Sequence, residues 1–268
     1  MRRLLSLTLL LAGCATGRNY TVPDSPGWGL PAAMVAAAAA SAGGPDTLRI
    51  VSFNIEYGLR VDSAIAVLTG TPELRGADVV LLQEMDAAGA ERVATALRMG
   101  YAYFPATHHR FTHRDFGEAV LSRWPISEPH KIILPHRGLL SRTQRVASAV
   151  TIHVGERAVR VASLHAATPG EVGPRGRRDQ LRAVLEDALR YPRAIVGGDL
   201  NSHDVGKVAV ELGFAWPTEH GPKTDVLGRI DHIFLRGLGV PDSAASGTVM
   251  DNRQASDHKP VWAKGIVR

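Results

Sequence analysis

The sequence predicts an α/β fold in which two mixed β-sheets pack face to face with helices outside. Three observations carry this. Runs of β-branched and large apolar residues outnumber the segments with helical periodicity. Neighbouring runs lie close enough to be joined as hairpins, as at Gly155-Glu156. From residue 48 onward the two kinds of segment alternate with no internal repeat and no second domain, a pattern that buries its apolar faces by layering.

The first 46 residues read differently. Arg2 and Arg3 precede an apolar run from Leu4 to Ala12, too short to cross a bilayer, which has the form of a signal-peptide core over residues 1–13. It ends in Leu11-Ala12-Gly13-Cys14, which resembles a bacterial lipobox. The resemblance implies that Cys14 is diacylated and becomes the first mature residue. Cys14 is the only cysteine, so no intrachain disulfide can form. Two acyl chains would hold the protein durably at a membrane, each buried methylene contributing about 0.8 kcal/mol. Residues 14–46 are otherwise rich in Ala, Gly, Pro and Ser and are expected to be a flexible tether. The expected location is therefore extracytoplasmic, in a bacterial cell envelope.

Residues 47–268 form the expected domain. The first strand runs over Ile50-Val51-Ser52-Phe53-Asn54, and a helix follows with Val61, Ile65 and Leu68 on one face. Val79 to Glu84 is the next strand. Val93, Ala96 and Leu97 mark a helix over 88–99. Strands are expected at 101–104, 119–122, 144–154 and 158–166, and a long helix over 175–190 turns Leu181, Val184, Leu185 and Leu189 inward. The remaining apolar runs are Ile195-Val196, Arg229 to His232 and Pro260 to Ala263. No interior run approaches a membrane span.

Composition is that of an ordinary globular chain, with 45% hydrophobic and 21% charged residues. The formal charge of +5 falls to +3 once Arg2 and Arg3 leave with the leader. Only 5 of the 31 basic residues are Lys, and many Arg sit on helix-like segments as solvated faces, so charge says little about substrate.

Chemistry gathers at the ends of the apolar runs. Ile195-Val196-Gly197-Gly198-Asp199-Leu200-Asn201 delivers an Asp and an Asn on one face of an extended segment. A carboxylate there can orient or deprotonate a water, while a carboxamide donates to an anionic oxygen. The same ending recurs at Asn54, at Gln83-Glu84, at His165 and at Asp231-His232, and Ser256-Asp257-His258 precedes the last apolar segment. Six such endings in one chain make a site.

Taken in order, "SFNI", "LLQE", "SLHA", "GGDLN", "RIDHI" and "SDHKPV" resemble the endonuclease/exonuclease/phosphatase superfamily, the deoxyribonuclease-like metal-dependent phosphodiesterases, over residues 48 to 264. The resemblance implies a four-layer α/β sandwich. It makes Asn54, Glu84 and Asp257 ligands of Mg²⁺ or Mn²⁺, with Asp257 completing the shell or holding a metal-bound water. It makes His165, Asp199, Asn201, Asp231 and His258 catalytic. His165 and His258 contact the phosphate, and either Asp199 or the His258–Asp231 pair activates the water. Arg178 and Gln180 in "RRDQL" would support the site. Glu118 stands where many relatives carry Asn. His109, in the histidine-rich segment 108–115, falls in a loop near the phosphate; the spacing of that segment fits no common zinc set.

Three functions remain open: a phosphodiesterase acting on lipid head groups or small phosphodiesters at the membrane, an extracytoplasmic nuclease, and a non-catalytic phosphate-binding module. The last is disfavoured because every expected site position is filled. No obligate protein partner is evident.

Overall fold

The computed structural model describes residues 16–22, 28–29, 46–110, 112–241 and 245–267. The leader, Cys14 and most of the expected tether lie outside these. Among the described residues no helix is long and apolar enough to cross a membrane.

Two short strands, β1 (Thr16–Asn19) and β2 (Trp28–Gly29), precede the main body. Then come β3 (Thr47–Asn54), α1 (Val61–Gly70), β4 (Val79–Met85), α2 (Ala87–Leu97), β5 (Gly100–His109), β6 (Asp115–Ser122), β7 (Ile126–Ile133), β8 (Val146–Val154) and β9 (Arg157–His165). The chain closes with α3 (Pro174–Ala188), β10 (Ala194–Asp199), α4 (Lys207–Glu211), β11 (Asp231–Arg236), β12 (Ser246–Thr248) and β13 (Val261–Ile266).

One sheet has the order β1-β5-β6-β4-β3-β13-β12, with β2 pairing β5, and the other has the order β11-β10-β9-β8-β7. Both are mixed: β3 pairs β4 and β9 pairs β10 in parallel, while the remaining neighbours are antiparallel. Three apolar clusters fill the three interfaces of a four-layer sandwich. Ile50, Val79, Leu81, Val161, Ile195 and Ile233 meet between the sheets. Val67, Leu68, Val80, Leu82 and Val93 pack α1 and α2 on the first sheet, and Leu181, Val184, Leu185, Val196 and Phe234 pack α3 on the second.

The expected hairpin at Gly155-Glu156 forms, with Val154 opposite Arg157. Strand β7 has no counterpart in the sequence reading. Pro129 interrupts its pattern, and Glu128 sits at φ 50 beside a bulge between Ser127 and His130. An edge strand tolerates both, because Pro there forfeits no interior ladder bond. Asp231 opens β11 instead of ending a strand. It still reaches the same rim, because β11 runs antiparallel to β10.

Candidate active site

The C-terminal ends of β3, β4, β9 and β10 and the N-terminal end of β11 meet at one rim of the sandwich, and register sets what they present there. Asp199 lies opposite His165 on one side and opposite Asp231 on the other, so one rung of the second sheet carries three of the candidate site side chains. Gly198, at φ +146, makes this possible: a Cβ on it would fall 1.8 Å from the Leu164 carbonyl oxygen.

Asp199 Oδ2 is the focus. Asn54 Nδ2 donates to it at 3.1 Å, His165 Nε2 lies 3.3 Å away and His258 Nε2 lies 3.7 Å away. Asp199 Oδ1 accepts from the Asn201 backbone N–H at 2.7 Å, which holds Asn201 at φ 50. Burial, reinforced by the charge of Asp231, raises the Asp199 carboxyl above the usual carboxylate range.

His258 makes an oriented pair with Asp231, Nδ1 to Oδ2 at 2.9 Å. Burial alone would lower the imidazole, but the Asp231 charge and hydrogen bond, with Asp199 behind them, outweigh it and push His258 up to about 11. It is therefore an imidazolium at neutral pH. Its loop is fixed from below: Ser256 Oγ donates to the Asn54 carbonyl at 2.7 Å, and Asn252 Nδ2 donates to the Ser256 and His258 carbonyls. His165 is the opposite case. Burial, then the nearby charges of Arg145 and His258, hold it well below its ordinary value, so it is neutral. Asn201 Nδ2 donates to its Nε2 at 3.1 Å, which assigns the ring proton to Nδ1, a buried atom with no hydrogen-bond partner among the described residues that lies 3.8 Å from Glu84 Oε1.

Glu84 is pushed up by burial. It accepts from Asn54 Nδ2 at 3.1 Å and from the Tyr57 backbone N–H at 3.0 Å. Its backbone lies at φ 59, beside the irregularity in the β4–β6 pairing that turns it out of the ladder. Asn54 was expected to offer an oxygen to a metal. As placed, its Oδ1 accepts from the Glu56 backbone N–H at 3.1 Å and its amide bridges the two carboxylates Glu84 and Asp199. Asp257 is exposed, with Oδ1 4.0 Å from His258 Nε2.

Of the supporting residues, Gln180 is buried, accepting from Ala167 N–H at 2.9 Å and donating to the Pro135 carbonyl at 2.9 Å. It ties α3 to two rim loops. Arg178 is not brought to the site. It pairs with Glu211 at 2.9 Å on a partly exposed face, because positions 177, 180, 181 and 184 hold the inward side of α3. The adjacent Arg177 is the buried one, donating to the Asn201 carbonyl at 2.8 Å. Glu118 is fully buried, and both its oxygens lack a hydrogen-bond partner among the described residues. Burial raises it well above the carboxylate range, the charge of Arg145 opposing, so it is neutral. His109 packs on Tyr57 at 5.0 Å and lines a cleft with Phe116, Thr107 and Arg145.

Asp199, Asp231 and His258 present polar atoms within 4.8 Å of one another, as do Asp225, Asp257 and His258; with His258 protonated, the carboxylates are the members of each group able to bind a cation. The sequence reading misses Asp225, Arg145, Arg177 and Asn252, and it names Ser256 in a cluster without giving it a role. Only Arg177 left a signal, its phase on the helix.

The model of the endonuclease/exonuclease/phosphatase family matches residues 51–258, most of the chain. The chain belongs to that family. Members of the family are hydrolases that act on phosphodiester bonds. Similar solved structures include an endonuclease/exonuclease/phosphatase from Beutenbergia cavernae DSM 12333, 20% identical over 83% of this chain and 72% of that one, with a TM-score of 0.66. Sphingomyelinase C from Streptomyces griseocarneus is 20% identical over 82% of this chain and 99% of its own, with a TM-score of 0.61. The human Nocturnin catalytic domain with bound sulfate is 18% identical over 82% and 94%, also with a TM-score of 0.61. At these identities the likeness shows the fold alone. A comparison with curated proteins finds no match.

Proposed function

We propose that this protein is a divalent-metal-dependent phosphodiesterase that acts outside the cytoplasm on a phosphate ester at the membrane. The observation that carries the reading is the convergence of Asn54, His165 and His258 on the buried Asp199 Oδ2. A carboxyl raised toward neutrality suits the removal of a proton from a water attacking phosphorus as the P–O bond to the leaving group breaks. His258, an imidazolium held by Asp231, has no lone pair with which to accept that proton. It steadies the phosphoryl oxygens, and the Nδ1–H of His165 is a further donor, while Asn201 orients that ring through its Nε2.

A hard cation fits these residues. The carboxylates of buried Asp199 and Asp231 and of partly buried Glu84 gather here, and among the described residues Glu84 is met at hydrogen-bond distance only by neutral donors. Glu84 and Asp257 would hold Mg²⁺ or Mn²⁺, with Asp225 near Asp257. Such an ion neutralises charge that develops on the leaving side.

The test is steady-state hydrolysis of bis-p-nitrophenyl phosphate, sphingomyelin, phosphoinositides, plasmid DNA and RNA with Mg²⁺ or Mn²⁺. Asp199→Ala and His258→Ala should each cost about 10²-fold or more, and the double variant far less than the product of the two, because both groups act in one transition state. Turnover of none of these substrates would favour a binding module, and turnover of nucleic acid alone a nuclease. The envelope location rests on Cys14: Cys14→Ser should let a high-salt wash move the protein to the soluble fraction with its activity intact.

A further inference from the structure

The large apolar side chains left in solvent are not scattered. Among the described residues nine are exposed, and six of them, Leu59, Leu139, Leu140, Val226, Leu227 and Met250, lie in loops at the end of the sandwich that carries the site. Four of these six form two matching tips. Leu139-Leu140 caps the turn closed by Gly138 N–H to the Thr143 carbonyl at 3.0 Å and Arg142 N–H to the Gly138 carbonyl at 3.2 Å. Val226-Leu227 caps a hairpin in which Asp225 and Gly228 exchange both backbone bonds at 3.1 Å.

Neither tip is a loose loop. The Glu171 carboxylate accepts from the Leu140 and Ser141 N–H groups, and Asp225 Oδ2 accepts from Leu227 N–H. Val226 is 90% exposed and Leu139 71%. Each pair is bracketed by exposed cations, Arg137 and Arg142 around the first and Lys223 and Arg229 around the second.

The tips flank the reacting centre. Gly138 and Ser141 line the cleft with Tyr57, Phe116 and Thr168, while Leu227, Lys223 and Arg229 line a second cavity with Asn201 and Pro169. Thr168 and Pro169 are neighbours in the loop that separates the two. Exposed apolar pairs with cations on both sides match the layering of an anionic bilayer, where a basic ring meets lipid phosphates and aliphatic side chains pass below them. A nucleic acid would use the cations and leave the four aliphatic side chains without a partner.

We propose that the 138–142 and 224–228 turns dock the active-site face directly on an anionic phospholipid bilayer, with Leu139, Leu140, Val226 and Leu227 inserted below the head groups. This contact belongs to the folded domain and is separate from any acyl chain on Cys14. It is read by binding, so it stands or falls independently of the reaction.

The single cysteine makes the test direct. In the full chain carrying Cys14→Ser, Leu140→Cys, Leu227→Cys and, at the opposite end of the sandwich, Val240→Cys are each labelled with a polarity-sensitive dye. They are then mixed with phosphatidylglycerol/phosphatidylcholine vesicles or pure phosphatidylcholine vesicles. Both tips should shift to the blue and be quenched by brominated acyl chains on the anionic vesicles, less so in high salt, and the Val240 site should not respond. Leu139→Asp with Leu227→Asp, both exposed and thus compatible with folding, should lower vesicle partitioning by about tenfold or more. Silent tips, or an equal response at Val240, would overturn the proposal. So would a shift produced by an oligonucleotide, or by raising protein concentration without vesicles, which would assign the face to nucleic acid or to a second copy.

Discussion

Replacing Asp231 by Asn keeps the shape of the His258 partner and removes its charge. At 2.9 Å, in an effective dielectric near 20, the lost attraction is roughly 6 kcal/mol, equivalent to about four pKa units. The rise of His258 from 6.5 to about 11 is a net figure, in which burial opposes the attractions of Asp231, Asp199 and Asp257. Asp199 remains 3.7 Å from Nε2 and retains part of the attraction, so the imidazole should fall by at least about two units, not return fully to its ordinary range. The sign matters for stability. A raised histidine stabilises the native state fully below its unfolded pKa and loses that contribution as pH rises through the folded value, so Asp231→Asn should cost stability at neutral and acid pH. Histidine-selective NMR titration in the presence of chelator measures the shift site by site. His258 still protonated above pH 9 in the variant would refute the account, because the pair would then not be what charges the ring.

Glu84→Gln should keep the fold yet raise the metal concentration needed and cut turnover by about 10²-fold or more; unchanged activity in a Mg²⁺ titration would remove Glu84 from the metal site. Gly198→Ala should lower the urea midpoint by the equivalent of about 3 kcal/mol, since the new methyl group meets the Leu164 carbonyl at a backbone angle only glycine adopts readily. His232 is held by burial at about 3, accepting from Trp216 Nε1 at 3.2 Å and donating from Nε2 to the Arg229 carbonyl at 3.1 Å. Between pH 6.5 and about 3 the unfolded chain binds a proton there that the native chain refuses, so as pH falls stability declines by up to roughly 5 kcal/mol, and His232→Gln should flatten that slope in acid denaturation curves.

What was legible in the sequence was local and periodic. The apolar runs and their polar endings carry the strands and seven residues that the fold brings to the candidate site: Asn54, Glu84, His165, Asp199, Asn201, Asp231 and His258. Arg178 was assigned the role that Arg177 holds, because neighbouring arginines differ only in helical phase, and the inward face was read from the leucines without extending it back to position 177. Arg145, Ser256 and Asn252 were not legible, since each acts through a contact made only after distant segments pack: Ser256 reaches the Asn54 carbonyl across 202 residues. Strand β7 was hidden by Pro129, which is acceptable only at an edge, and edge position is a property of the finished sheet.

On the proposed mechanism, the shared rung of His165, Asp199 and Asp231 makes function a test of folding. A slip of one residue in β9 or β11 would turn the end residue to the opposite face, and a slip of two would restore the face but carry the group roughly 6.6 Å along the strand, beyond contact. No off-register form of this sheet can be partly active, however compact it is. Refolded material should therefore show specific activity proportional to the fraction of chains in native register. A shortfall of activity against recovered β-sheet signal would count misregistered molecules directly.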